Sequence, residues 1–264
     1  MDDADAGRSV GRDGVGGLDQ PCSRDEPTEK NQLKPWQVQS WCIPPKENAS
    51  FVAKMEDVLE VYSRPYDPEY PQVCLDEKRK ELHATPQGEI ALAAGRPKRQ
   101  DYEYERNGSA SIFLWNEPLT GKSDLKVEET ADSLTFAAMI KQIVDVHFPQ
   151  AKRIVLVTDN ASFHTAAALY KTFTPDEAFR LMQKIEWHYT PEHGSWLNMA
   201  ELELSVLHRQ CLDRRIPNIE TLKSETNAWA IRRNQQKVTI CWRFTTADAR
   251  IKLAHLYPKR NVDN

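Results

Sequence analysis

A chain of 264 residues with 40% hydrophobic content can bury one large domain, or a domain with an attached arm. Its mean hydropathy of −0.66 and the lack of any run of roughly 18 apolar residues exclude a membrane span. The acidic Met1-Asp-Asp-Ala-Asp5 start excludes a secretory signal. The net charge of −4 and a pI near 6.0 are less basic than expected of a free-standing nucleic-acid-binding module. Local clusters at Lys78–Lys80, Arg96–Arg99, Arg214-Arg215, Arg232-Arg233 and Lys259-Arg260 leave such a partner open, although each alone reads first as a solvated face. Cys22, Cys42, Cys74, Cys211 and Cys241 are far apart, which predicts free thiols in a reducing cytoplasm and argues against structural zinc.

Residues 1–33 are rich in Gly, Asp and Arg with almost no apolar content, which predicts a disordered N-terminal segment. Residues 34–70 read as a linker and helix. Trp36, Trp41 and the Pro44-Pro45 break suggest extended chain, and a helix over 48–63 starts on Asn48 or Ser50. Phe51, Met55, Val58, Leu59 and Tyr62 recur at helical spacing, and Arg64-Pro-Tyr-Asp-Pro68 ends the helix. Val73–Asp76 predicts a short buried strand ending on Asp76, and 78–108 a polar excursion from the sheet. Ser109–Trp115 and Asp124–Glu129 predict two more strands. Asp132 or Ser133 then opens a helix to about Val146, buried through Phe136, Met139, Ile140, Ile143 and Val144. Ile154–Val157 is a nearly uniform apolar strand, as expected of one covered on both faces. Helices at about 165–172 and 175–184, a strand at 185–188, a long helix from Ser195 and helices at 218–234 and 246–256 follow, the last capped by Thr246. The expected class is α/β, a mixed sheet flanked by helices.

Three acids stand out by position. Asp76 ends the first strand, Asp159 ends the Ile154–Val157 strand, and Glu201 lies in the first turns of the helix that follows the last strand. Carboxylates from two neighbouring strand ends and a helix start can converge, and hard divalent ions take such oxygen ligands. Acids at these places are also ordinary turn formers and caps, and Lys78, Arg79 and Lys80 could simply pair with Asp76. Asp159-Asn160 at the end of a buried strand has less structural excuse. Glu203 competes with Glu201: at about 100° per residue the two face opposite ways, and periodicity does not choose between them. Asn160 and His164 near Asp159, and His193 and Asn198 near Glu201, are candidates to orient a carboxylate or phosphate. A lone histidine such as His164 reads first as a hydrogen-bonded structural residue, and Trp196 first as core, with base stacking the alternative.

Cys74-Leu-Asp-Glu77, Leu156-Val-Thr-Asp-Asn160 with His164, and His188 through Glu201 together resemble the three catalytic blocks of mariner-superfamily DDE transposases, nearest the bacterial insertion-sequence branch. Leu204–Pro217 and Trp242–Lys252 extend the resemblance, which covers about residues 34–260. The resemblance implies a ribonuclease-H-like fold over a catalytic domain at 71–260, with Asp76, Asp159 and Glu201 as the triad holding two Mg2+ or Mn2+ ions. An Asn-x-x-Glu run carries the third acid in that family, as Asn198-Met-Ala-Glu201 does here, which selects Glu201. The implied partners are DNA, as transposon ends and target, and a second copy in a homodimer, in the bacterial cytoplasm at the nucleoid. The Asp159-to-Glu201 spacing exceeds that typical of eukaryotic relatives, and the helix around Pro175–Met182 accounts for the excess. Full-length relatives begin with helix-turn-helix modules, and nothing before residue 34 reads as one. The expectation is therefore a truncated copy, the alternative being a catalytically idle remnant that only binds DNA or another transposase subunit.

Overall fold

The computed structural model describes residues 43–44 and 46–259. The expectations for residues 1–33, for the linker around Trp36 and Trp41, and for Cys22, Cys42 and Arg260 lie outside the described residues.

Helix α1 (Ala49–Ser63) starts on Asn48, whose side chain accepts from the Phe51 N–H at 2.9 Å, satisfying a backbone donor that the helix leaves free. Its stripe of Phe51, Met55, Val58, Leu59 and Tyr62 is buried as expected, and it stops before Pro65. Strand β1 (Gln72–Ala84) does not end at Asp76 but runs on to Ala84. The reason is its partner: β4 (Glu105–Glu117) lies antiparallel along it from Cys74↔Asn116 past Lys80↔Ala110, so the polar half of β1 is held by ladder hydrogen bonds rather than by burial. The excursion accordingly shrinks to residues 85–104, with a small ladder of β2 (Glu89–Ile90) and β3 (Arg99–Gln100). Strand β5 (Lys122–Glu128) pairs antiparallel with β4.

Helix α2 (Ser133–Gln142) is capped by Asp132, which accepts from the Leu134 and Thr135 N–H groups at 2.9 Å while Thr135 Oγ1 accepts from the Asp132 N–H. A π-helical turn at Ile143–His147 extends it. Strand β6 (Ile154–Thr158), helices α3 (Ala166–Thr172) and α4 (Pro175–Gln183) and strand β7 (Ile185–Tyr189) fall where the sequence places them. The long helix does not begin at Ser195. A 3-10 turn at Ser195–Leu197 comes first, then Asn198 in extended backbone caps α5 (Met199–Leu207) by accepting from the Ala200 N–H. Helices α6 (Ile219–Gln236) and α7 (Thr246–Lys252) complete the order. Thr245, not Thr246, caps α7, because Thr245 and Asp248 bond each other's backbone N–H in a capping box.

The sheet order is β5-β4-β1-β6-β7, with β1, β6 and β7 parallel and β4 antiparallel to both neighbours. Successive β1 residues face opposite sides, so Val73 and Leu75 join one core with α2, α3 and α4, and Cys74 the other with α1, α5, α6 and α7. A five-stranded 3-2-1-4-5 sheet with an inverted second strand and helices on both faces is the ribonuclease-H-like arrangement. Helix α1 contributes to one of the two cores, so it packs as part of this fold and not as a tether. Cys74 and Cys211 are buried free thiols and Cys241 an exposed one. No helix among the described residues is long and apolar enough to cross a membrane.

Candidate active site at the ends of β1 and β6

The parallel register pairs Cys74 with Val157, so two residues further along each strand Asp76 and Asp159 come abreast. β6 ends at Thr158 while β1 continues, leaving Asp76 beside an open strand end. Asp76 is only 8% exposed. One carboxylate oxygen accepts from the Glu77 N–H at 2.8 Å, and the other lies 3.3 Å from Asn198 Nδ2, which also donates to the Leu75 carbonyl at 3.0 Å. Asn198 thus does two jobs: it starts α5 and ties that start to β1. Glu201 rides in the first turn of the same helix. Burial, together with the negative charges of Asp159, Glu77 and Glu201, pushes the Asp76 carboxyl up to about 7, against the pull of the Glu77 N–H.

Asp159 is held differently. Its Oδ1 accepts from the Ala161 N–H at 3.1 Å and lies 2.5 Å from His164 Nδ1. His164 is fully buried against the Phe136 ring, with Nε2 3.0 Å from Glu77 Oε2, close enough for an ion pair but poorly aligned for a hydrogen bond. Burial opposes charge on this imidazole, but Asp159 and Glu77 override it and hold its pKa up at about 9. The same contact, with the Ala161 N–H, outweighs burial at Asp159 and keeps that carboxyl below its usual range. His164 is therefore an imidazolium clamped between two acids, which fixes one oxygen of Asp159 and leaves the other free.

Asn160 turns away from the carboxylates. Its Oδ1 accepts from Lys54 Nζ at 2.6 Å and its Nδ2 donates to the Thr190 carbonyl, joining α1 to the exits of β6 and β7. His193 is exposed, in left-handed backbone at φ 59°, on the rim of a cavity of about 300 Å3 whose lining includes Asp159, Asn160 and Glu192. The turn beside it needs glycine, since a Cβ on Gly194 would sit 2.4 Å from Pro191 Cγ. Gly194→Ala is expected to displace Pro191 and lower the melting temperature, whereas Ser195→Ala, at an exposed position, should leave it unchanged in the same thermal scan.

Glu203 is buried and paired with Arg233 at 2.6 and 2.9 Å, a bidentate link between α5 and α6 that removes it from the site. The basic cluster at Lys78–Lys80 does not pair with Asp76: Arg79 donates to Ser109, and Lys80 to the Leu212 and Arg214 carbonyls. Arg214 pairs with Glu225. The structure thus groups Asp76, Asp159, Glu201, Asn198 and His164, and leaves Asn160 and His193 beside them. Sequence reasoning missed Glu77 and Lys54. The signal for Glu77 was its place next to Asp76 on a strand, where alternation turns it to the opposite face, towards His164. Lys54 lies 106 positions from Asn160, and nothing local marks it.

Among the described residues, no three acid, histidine or cysteine side chains already converge to cage a metal ion. The donor chemistry nevertheless fits a hard divalent cation. The nearby groups are carboxylates, and Asp76 is desolvated while feeling three like charges, a deficit that such a cation would offset.

Acids are thus delivered by adjoining strand ends and a helix start on a sheet of ribonuclease-H-like order. Residues 71–223 match the family described as DDE superfamily endonuclease, and the chain belongs to that family. Among solved structures, it is similar to the Mos1 mariner paired end complex with Mn, at 18% identity over 80% of this chain and 65% of that one, with a TM-score of 0.48. It is also similar to the Mos1 paired end complex with Mg, at 16% identity over 88% and 69%, with a TM-score of 0.49. The chain thus spans less than two thirds of the first of these. No curated protein matches it.

Proposed function

We propose that this chain cleaves and joins DNA strands as the catalytic part of a transposase of the bacterial insertion-sequence branch, with Asp76, Asp159 and Glu201 holding two Mg2+ or Mn2+ ions. The observation that carries this reading is the buried Asp76 carboxyl, which feels the negative charges of Asp159 and Glu201 while His164 pairs with Asp159 alone of the three. Bound ions would supply an activated water or 3′-hydroxyl and offset charge on the leaving oxygen of a phosphodiester. The protein's share is placement. His164 and the Ala161 N–H fix one face of Asp159. Asn198 sets α5 against Asp76, so that Glu201 comes in from a third element. The open cavity beside Asp159 gives the scissile strand access.

A nicking assay on supercoiled DNA with Mg2+ or Mn2+ tests the reading. Nicking is expected in wild type, abolished by chelation and by Asp159→Ala. Cleavage that persists unchanged in Asp159→Ala would sink the triad.

A further inference from the structure

Among the described residues lining the cavity beside Asp159 there is no lysine or arginine, but there are two acids, Asp159 and Glu192, alongside the His193 imidazole. Bound metal ions would offset charge at the reacting phosphate. The neighbouring phosphates of the same strand still have to lie close to Glu192, and a cation at the rim would favour that. Lys54 supplies one from a different element, α1. Its Nζ donates to Asn160 Oδ1 at 2.6 Å, and Asn160, which follows Asp159 in the chain, lines this cavity.

The charge of Lys54 is not spent within its own helix. The acids of α1 are Glu56, Asp57 and Glu60. Glu56 is held by Arg250 and Tyr257, and Glu60 by Arg64. Asp57, one turn from Lys54, is taken by His188 Nδ1 at 2.8 Å. Among the described residues no carboxylate pairs with Lys54, which turns to a neutral amide instead. An ammonium carries three N–H donors; Asn160 accepts one, which leaves two for oxygens from outside. Asn160 is itself fixed, since its Nδ2 donates to the Thr190 carbonyl at the exit of β7. It acts as a bracket that holds the ammonium at the mouth without neutralising it, as a carboxylate there would.

We infer that Lys54 binds a DNA phosphate next to the scissile one and so sets the path of the strand across the cavity. The inference rests on the reading of the three acids as the cleavage site. A contact of this kind positions the strand and carries no sequence information.

Anisotropy titration of the full chain with a short fluorescein-labelled duplex tests it, in Ca2+, which takes the same oxygen ligands as Mg2+, with KCl varied between about 50 and 200 mM. Lys54→Met keeps the aliphatic stem and removes the charge. It should weaken binding roughly eightfold at about 0.1 M salt and make the slope of log K against log salt shallower by about 0.9, the share of one phosphate contact. Lys54→Arg should restore both. Lys152→Met, before the other end of β6 and paired with Glu69, should change neither. In the nicking assay, Lys54→Met should raise KM and leave kcat unaltered. If the Lys54–Asn160 bond only fastens α1 to the sheet, Lys54→Met melts earlier but binds DNA with wild-type affinity and slope, and the inference is overturned. An equal loss in Lys152→Met would overturn it too, as diffuse charge. Wild type that binds through Lys54 but nicks nothing would count against the cleavage reading and not against the phosphate contact.

Discussion

Alanine at Glu201 and alanine at Glu203 are expected to damage the protein in two different ways, although the residues stand one position either side of Leu202. Glu201 is half-buried in the first turn of α5, with no salt bridge among the described residues, and its charge is felt at Asp76. Its removal forfeits a carboxylate near a helix N-terminus, worth roughly 0.3–1 kcal/mol. On the proposed reading it also forfeits a metal ligand, worth several kcal/mol in the transition state, or roughly a thousandfold in cleavage rate. Glu203 is the buried partner of Arg233, with the two side chains 6% and 11% exposed. Glu203→Ala strands the guanidinium without a counter-charge, at a cost of roughly 3–5 kcal/mol. In a chain of this size that is a fall of roughly 6–20 °C in melting temperature. The dissociation is read by running thermal scans and nicking assays on the same two preparations, with nicking measured well below either melting point. Loss of cleavage in a thermally intact Glu203→Ala, with Glu201→Ala still active, would reverse the assignment.

The reason these two glutamates cannot be separated by sequence pattern alone also explains what else was hidden. Helical spacing says that Glu201 and Glu203 face different ways, but not which way the helix is turned. That is fixed by Asn198 gripping β1 and by Arg233 reaching over from α6. The elements with a strong apolar pattern were legible for the same physical reason that they fold: α1, α2, β6 and β7 lie where that pattern places them. What failed were boundaries set by partners. The mostly polar run from Lys78 to Ala84, with only Leu82 reaching the core, carries no clear strand signal of its own, and it extends because β4 supplies the hydrogen bonds. The consequence reaches the site, since Asp76 lies within a strand that β4 carries past it and that Asn198 covers from the start of α5, and its burial follows from those contacts. Likewise, Glu77 and Lys54 act through contacts with residues remote in sequence, which local pattern cannot register.

On the proposed reading of Asp159 as a metal ligand, His164→Gln is expected to weaken Mn2+ binding by roughly 10–100-fold, the usual cost of losing a group that orients a metal-binding side chain. In wild type the buried imidazolium touches Asp159 on one side and Glu77 on the other, so it both aims Asp159 and balances two acids that would otherwise repel. Glutamine can still donate to Asp159 Oδ1, but it brings no charge and its single amide reaches one acid only. Asp159 therefore gains freedom, and Glu77 is left facing Leu75 and Phe113 in the same core without a counter-charge. Two measurements separate the orienting role from a structural one. Manganese titration followed by its paramagnetic signal reads the metal affinity directly, and thermal scans without metal read the fold. Weaker Mn2+ binding in a variant that remains folded at the titration temperature supports the orienting role, and it should be accompanied by a smaller melting shift on adding Mn2+ than in wild type. A variant that melts earlier yet binds Mn2+ as tightly as wild type would make His164 a core ion pair with no hold over the site.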